Sequence, residues 1–392
     1  MMAQPLPTIT PTAAANRCWD VAVVGAGPAG ALAAYELARR GAAVLLVDQA
    51  MFPRRKVCGC CLSGAAITTL KSVGLGALLE ALRAVPLHTV QLAAGHQRAV
   101  LPLPAGVALS REQLDTALVH EAIRAGTAFL PKTRATLDRV MPSSRRLILD
   151  HDDEARTTVE ARVVLAADGL RGTLLQHAPK FQMRSTGTSY IGVGTTIEHA
   201  PAAYSPGTIF MTGAHTGYVG MVRLEDGRLD IAAAVAPVTI RRHGRPHTVI
   251  AAMLRTAAMP PIDTLDQARW HGTPSLTCRR ASLAAERVFV IGDAAGYVEP
   301  FTGEGIGWAL ACAVNVAPLA LEAAQRWNPS LIQRWSTRYH RVLGQRQRRC
   351  WMLTQLLRHP ALMQVALAIL SQQPRLASPF IRSLHRPLLL PT

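Results

Sequence analysis

The sequence predicts an α/β chain in which a mainly parallel sheet carries an inserted antiparallel sheet and ends in a helical segment. Three observations carry that expectation. A short apolar strand runs into a glycine turn and a helix near the N-terminus, and a second short buried strand ends at Gly292-Asp293. Between them lies a β-rich stretch punctuated by glycine. At 392 residues, 49% hydrophobic and 17% charged, the chain can build two or three layers around a large core and is not a disordered protein.

Asp20 to Val24 reads as a buried parallel strand, Pro28 to Arg40 as a helix closed by Gly41, and Ala43 to Val47 as the next strand, which completes one βαβ unit. Met51 to Gly64 has no clear period and reads as a loop, after which Ser63 or Gly64 caps a helix towards Val73. Val90 to Leu101 predicts a strand pair turning at Gly95-His96, and Ser110 starts a helix through Arg124. Leu130 to Leu149 adds strand, and Val163 to Ala167 is a buried strand ending at Asp168-Gly169. Gly187 to Val235 predicts a mostly antiparallel sheet with a turn at Glu225 to Gly227. Val288 to Ile291 returns to the buried-strand pattern, a long apolar helix starts at Ile306, and the chain from Trp327 is helical and arginine-rich.

The expected division follows. Residues 1–18 form a flexible tail; 19–86, 107–180 and 281–326 form a discontinuous nucleotide-binding domain. Residues 87–106 with 181–280 form a substrate-binding β-sheet domain, and 327–392 a C-terminal helical region.

Gly25-Ala26-Gly27-Pro28-Ala29-Gly30 lies between a strand and a helix. Gly25 permits a tight turn, Gly27 lets the backbone approach a pyrophosphate, and Gly30 allows close helix-to-strand packing, with the helix N-terminus supplying partial positive charge. Asp48 ends the next strand, where an acid binds an adenosine ribose. The second motif is Gly292-Asp293, followed by Glu299-Pro300-Phe301-Thr302-Gly303-Glu304-Gly305-Ile306. Asp293 is placed to accept from ribityl hydroxyls, and the helix that follows can direct its N-terminal dipole at the pyrimidine edge of a flavin, where reduction develops negative charge.

These motifs, their order and their separation resemble the glutathione-reductase-type flavoproteins, and among them the geranylgeranyl reductases and their p-hydroxybenzoate-hydroxylase-like relatives. The resemblance spans about residues 21 to 310 and implies a Rossmann-like FAD/NAD(P)-binding domain with an inserted antiparallel-sheet substrate domain. It implies that Arg111, in Ser110 to Asp115, contacts the FAD phosphates or ribityl chain. Asp168 and Gly169, with Arg171, match an Asp-Gly motif near FAD, and Gly272-Thr273-Pro274 matches a turn before the last FAD strand. Pro53 to Cys61 resembles a P-x-x-K-x-C-G-G segment on the substrate side of the flavin, which makes Cys58 a candidate active-site thiol and places Gln49, Arg55, Lys56, Cys58 and Gly59 with Pro300, Gly303, Glu304, Gly305 and Ile306 in the cofactor shell. Basic neighbours lower a thiol pKa; the alternative is a set of small residues in a tight loop. Cys60 stands where that motif has glycine. Arg54 and Arg55 either pair with phosphate or face solvent, solvent being the default for a basic run. Tyr218 remains from the family's aromatic segment and reads, with Phe210, as core; His215 and His271 read as structural or solvated.

Cys58, Cys60 and Cys61 allow a metal reading, but no second pair of ligands stands at zinc-like spacing and no HExxH occurs, so no metal site is expected; no Ser-His-Asp order occurs either. The Trp-x-Trp-x-Ile-Pro signature of flavin halogenases is missing, so halogenation is not expected. What the resemblance implies is an FAD-dependent oxidoreductase acting on a lipophilic isoprenoid- or polyketide-like molecule. A double-bond reductase is the first reading, a monooxygenase on an aromatic or lipid-like substrate the second, and a non-catalytic FAD-bearing membrane-surface protein the third. The reductant is NAD(P)H or a reduced electron-carrier protein. The formal charge of +17 comes almost wholly from arginine and favours an anionic phospholipid surface or an acidic donor protein over nucleic acid, for which no signature is present. Trp327 to Gln373 suits an interfacial helix or one covering the substrate domain. Seven cysteines without an export signal predict a reduced cytoplasmic setting, peripheral to the membrane at most, and no stretch is expected to span a bilayer.

Overall fold

The apolar run that starts at Cys18 becomes the central strand of an eight-stranded sheet. A computed structural model of the chain describes residues 3–151, 155–299, 301 and 303–388. Cys18–Val24 pairs in parallel with Val44–Val47 on one side and with Thr157–Ala166 on the other. Ala128–Leu130 extends the first side and Val288–Val290 the second, both parallel. Val21, Val23, Leu45, Val164 and Val288 are fully buried, as in a sheet covered on both faces. Connections leave the central strand in opposite directions, which opens a crevice at the carboxyl ends of these strands.

The residues expected to form a flexible tail are instead docked. α1 (Pro11–Ala15) is capped by the Thr10 hydroxyl, and the Trp19 indole donates to the Ala14 carbonyl at 3.0 Å. Thr8 donates its N–H to the Phe129 carbonyl at 3.1 Å and accepts the Phe129 N–H on its hydroxyl at 2.8 Å. The segment thereby covers the otherwise open edge of Ala128–Leu130, a need that a sheet imposes and composition does not reveal.

α2 (Pro28–Ala38) follows the glycine turn and is buried along almost its whole length. α3 (Gly64–Ser72) is capped by Ser63, the short α4 (Leu78–Ala81) follows, and α5 (Arg111–Arg124) is capped by Ser110. The second sheet has seven strands in the order 271–275, 191–197, 229–235, 217–223, 208–214, 89–94 and 97–102. It is antiparallel except where Thr208–Ala214 meets Thr89–Ala94 in parallel, the joint between its two chain segments. α6 (Pro237–His243) and α7 (Pro246–Thr256) cover one face, with Ile250 and Met253 against Val219 and Ile231. The sheets are tied where the Glu225 carboxylate accepts from the Ser110 N–H at 2.9 Å and hydroxyl at 2.6 Å.

α8 (Gly305–Gln325) packs on α2 and the parallel sheet. It is long and apolar enough to cross a membrane, contrary to the expectation that no stretch is, yet most of it is buried within the protein, which makes it a core helix. α9 (Ser330–Leu357), α10 (Pro360–Gln372) and α11 (Ser378–Leu384) complete the chain. Trp335 of α9 is fully buried, lies edge-on to Phe289, and donates its indole N–H to the Val290 carbonyl at 3.0 Å. Trp335→Ala opens a cavity and orphans that carbonyl, and should cost about 3–5 kcal/mol in a urea unfolding titration.

Candidate active site

The three glycines of the first turn do different work. Gly25 has φ +103°, and a Cβ there would lie 2.4 Å from the Ala167 carbonyl oxygen, so only glycine fits. A Cβ on Gly30 would lie 1.8 Å from the Gly25 oxygen, which fixes how closely α2 meets the strand. Gly27 is sterically open: a Cβ would meet only the Arg54 and Arg111 guanidinium nitrogens, each at 3.7 Å. The space over Gly27, at the N-terminus of α2, is therefore roofed by two cations.

Both cations are held from behind. Arg111 makes a two-pronged pair with Asp115, both bonds 2.7 Å. Burial works against its charge, but Asp115 holds its pKa well above the ordinary value. Arg54 reaches Asp48 at 3.1 Å, lies over the Phe52 ring, and leaves its Nε buried without a partner among the described residues. Arg54 thus departs from the solvent-facing default for a basic run, because a loop that folds back on its own acid places it inside. Asp48 lines the cleft and also braces the turn, accepting from Ala26 N–H at 2.7 Å and Ala50 N–H at 2.9 Å. Two guanidiniums above a helix N-terminus fit a diphosphate.

The cleft, about 390 Å³, continues past Pro28, Ala29, Gln49 and Arg55 to Asp168, Gly169 and Asp293. Asp168 accepts from Leu174 N–H at 2.7 Å, while its Oδ1 is buried without a partner among the described residues, an open acceptor. Burial pushes Asp293 up to about 6, with Arg111 opposing. Gly292 has φ +60°, and a Cβ there would lie 2.8 Å from that of Ala29, so the two glycine motifs, far apart in sequence, meet. His271 and Thr273 lie on the same wall. Lys56 lies there too, its pKa lowered by burial and then by Arg54 and Arg111.

Three expected cofactor residues stand elsewhere. The Glu304 side chain is buried against Arg346 at 2.9 Å and lines neither of the large cavities, because Arg346 is the nearer cation. Gly305 and Ile306 begin α8 without reaching either cavity wall. Pro300 lies outside the described residues.

A second cavity, about 300 Å³ and almost wholly apolar, lies against the first, with Val57 bordering both. Cys58, Gly59 and Gly303 form one end; Met211, Tyr218 and Met221 of the second sheet form a wall, closed by Leu353, Leu370 and Ile381 of the C-terminal helices. Tyr218, read as core, is both buried and part of this wall, edge-on to Phe301 at 5.1 Å. His385, which no motif announced, lines the cavity and accepts the Gly64 N–H on Nδ1 at 3.0 Å.

Cys58 sits at the seam. Its sulfur accepts the Cys60 N–H at 3.4 Å. A hydrogen bond from the Cys60 thiol, against burial and with help from Arg111, brings its pKa down to about 6. Cys60 moves the opposite way, well above its ordinary value, through its hydrogen bond to Cys58 and through burial. Burial pushes Cys61 up as well. Cys60 has φ +51°, the left-handed conformation that explains glycine at this place in the resembled motif. Among the described residues no group of three or more His, Cys, Asp or Glu is placed to hold a metal.

Residues 18–348 match the family model described as FAD binding domain. The chain belongs to this family. It is an FAD-dependent oxidoreductase. It is 28% identical to menaquinone reductase of Mycobacterium tuberculosis over 90% of each chain. It is 27% identical to digeranylgeranylglycerophospholipid reductase 1 of Methanothermobacter thermautotrophicus over 73% of each chain. Its fold is shared with p-nitrophenol 4-monooxygenase from Pseudomonas putida, TM-score 0.77 at 16% identity over 93% of this chain and 98% of that one. A flavin-dependent brominase has a TM-score of 0.76 at 16% identity over 94% of each.

In this FAD-binding chain, Gly27→Val should fold with the thermal midpoint of flavin-free wild type but purify without flavin absorbance, since its side chain occupies only the space beneath the two arginines. Normal flavin content would remove the diphosphate from that place. Because the thiolate is favoured, the rate of iodoacetamide labelling at Cys58, followed by peptide mass spectrometry, should rise with pH through about 6, two to three units before an ordinary thiol.

Proposed function

We propose that this FAD-dependent oxidoreductase reduces a carbon–carbon double bond of a lipophilic, isoprenoid-like molecule held in the apolar cavity. The observation that carries the reading is the seam at Val57 and Cys58, where an apolar chamber of about 300 Å³ adjoins the dinucleotide cleft. Relatives named as menaquinone and digeranylgeranylglycerophospholipid reductases support a prenylated substrate.

The cofactor roles belong to the same proposal. Arg54 and Arg111 bind the pyrophosphate, Asp48 the adenosine ribose and Asp293 the ribityl hydroxyls. When bound, FAD supplies the hydride equivalent. The chain's residues do the rest. Met211, Met221 and Leu353 exclude water and align the alkene along the sheet. Cys58 stands at the chamber wall, where its thiol delivers a proton to the second alkene carbon and the resulting thiolate is reprotonated from solvent. The reductant is NAD(P)H or a reduced carrier protein, which the basic surface would attract if that protein is acidic.

Under anaerobic conditions, protein reduced beforehand should convert a prenylated quinone or a geranylgeranyl lipid to a product two mass units heavier per double bond. A product that forms only with oxygen and gains an oxygen atom would replace this reading with monooxygenation. Cys58→Ser should lower kcat by about 10²-fold or more with little change in KM. Since the thiol form donates, wild-type kcat should fall as pH rises through about 6, and that limb should vanish in the variant.

A further inference from the structure

α10 has no charged residue, and it is apolar on both sides. One face, with Met363 and Leu367, is buried against Ala94, Ala99 and Met211 of the second sheet. The opposite face exposes Leu362 at 53%, Val365 at 59% and Ile369 at 50%. A helix that only covers its own core is polar outward, so the pattern calls for a second apolar medium. The patch is continued by Met352 of α9, 65% exposed, and by Leu376 and Phe380 ahead of and within α11.

Its charge is equally one-sided. From Trp327 to the C-terminus the sequence carries ten arginines and no aspartate or glutamate. Arg348, Arg349, Arg375, Arg382 and Arg386 are exposed on the segments that carry or flank the apolar patch. Exposed apolar side chains bordered by uncompensated cations are what an anionic lipid interface accepts. A second copy would bring these five exposed arginines against five of its own, which argues against self-association through this face.

We propose that the end of α9, α10 and α11 form a monotopic docking face that seats the protein on an anionic phospholipid bilayer and opens the apolar cavity to it. α9 and α10 meet at 105°, so α10 lies across the end of α9 instead of extending it. The face and the cavity share their wall: Leu370, Ala377 and Ile381 line the chamber, and Phe380 does so while 37% exposed. A molecule dissolved in the bilayer reaches Cys58 along apolar surface without crossing water. The docking face rests on exposure and charge alone; its use as a substrate entrance rests on the function proposed above.

Co-sedimentation of the full chain with phosphatidylcholine vesicles, with and without about one third phosphatidylglycerol, tests it. The wild type should pellet with the anionic vesicles and mostly stay in the supernatant with the neutral ones. A Leu362→Glu, Val365→Glu, Ile369→Glu variant touches neither cavity and should lose about tenfold or more of that binding. It should keep its flavin absorbance and thermal midpoint. Wild-type protein that stays in the supernatant with both vesicles, or a folded variant that pellets equally well, overturns the proposal. So does a wild-type dimer that the variant converts to monomer in sedimentation velocity, which would make the face a self-association surface. Protein that pellets as expected yet reduces no prenyl lipid would remove the proposed reaction and leave the docking face standing.

Discussion

The site depends on how closely three backbone segments approach one another. Gly30 lies under the Gly25 carbonyl, Gly25 lies against Ala167, and Gly292 against Ala29, each at a distance that leaves no room for a Cβ. These contacts bring the carboxyl ends of three parallel strands and the start of one helix to a single point. The cleft is what remains between them. The charged groups nearest that point are then fixed by short links: Asp48 to Ala26, Arg54 to Asp48, and Arg111 to Asp115.

Charge in the cleft is balanced internally before any ligand arrives. Two guanidiniums facing one gap would repel, and burial disfavours each of them. Asp48 and Asp115 offset both costs through their ion pairs with Arg54 and Arg111. This leaves the donors aimed forward with little rearrangement needed, the condition under which an anion is held most firmly. The neighbouring chamber is built the opposite way, from methionine, leucine and aromatic side chains, so that charge ends and oil begins within one residue, Val57.

The parts legible in the sequence are those where the backbone itself is the constraint. Glycine at 25, 30 and 292 follows from close backbone approaches that leave no room for a Cβ, Gly27 from the space a ligand needs, and Ser63 and Ser110 cap the helices that their chemistry announces. What escaped is decided by tertiary partners. Arg54 looks like any member of a basic run until its loop folds onto Asp48. The segment from Thr8 to Ala14 looks like a tail until the sheet edge it covers exists. Glu304 sits in a cofactor motif, yet Arg346, forty-two positions away, takes its carboxylate. Cys60 lies between these cases: its departure from glycine is visible in the sequence, while its left-handed backbone and the hydrogen bond from its N–H to Cys58 Sγ need the fold.

The Glu304–Arg346 pair reaches further than one ion pair. The same guanidinium donates to the Leu384 carbonyl at 2.7 Å and to the Arg386 carbonyl at 2.5 Å. The turns around Leu384 and Arg386 are thus moored, through a single side chain, to the residue that opens α8. Any shortening of the protein before Leu384 would cut two of those three lines and slacken the loop at Gly303 from a distance. A purification tag for this molecule belongs at its N-terminal end.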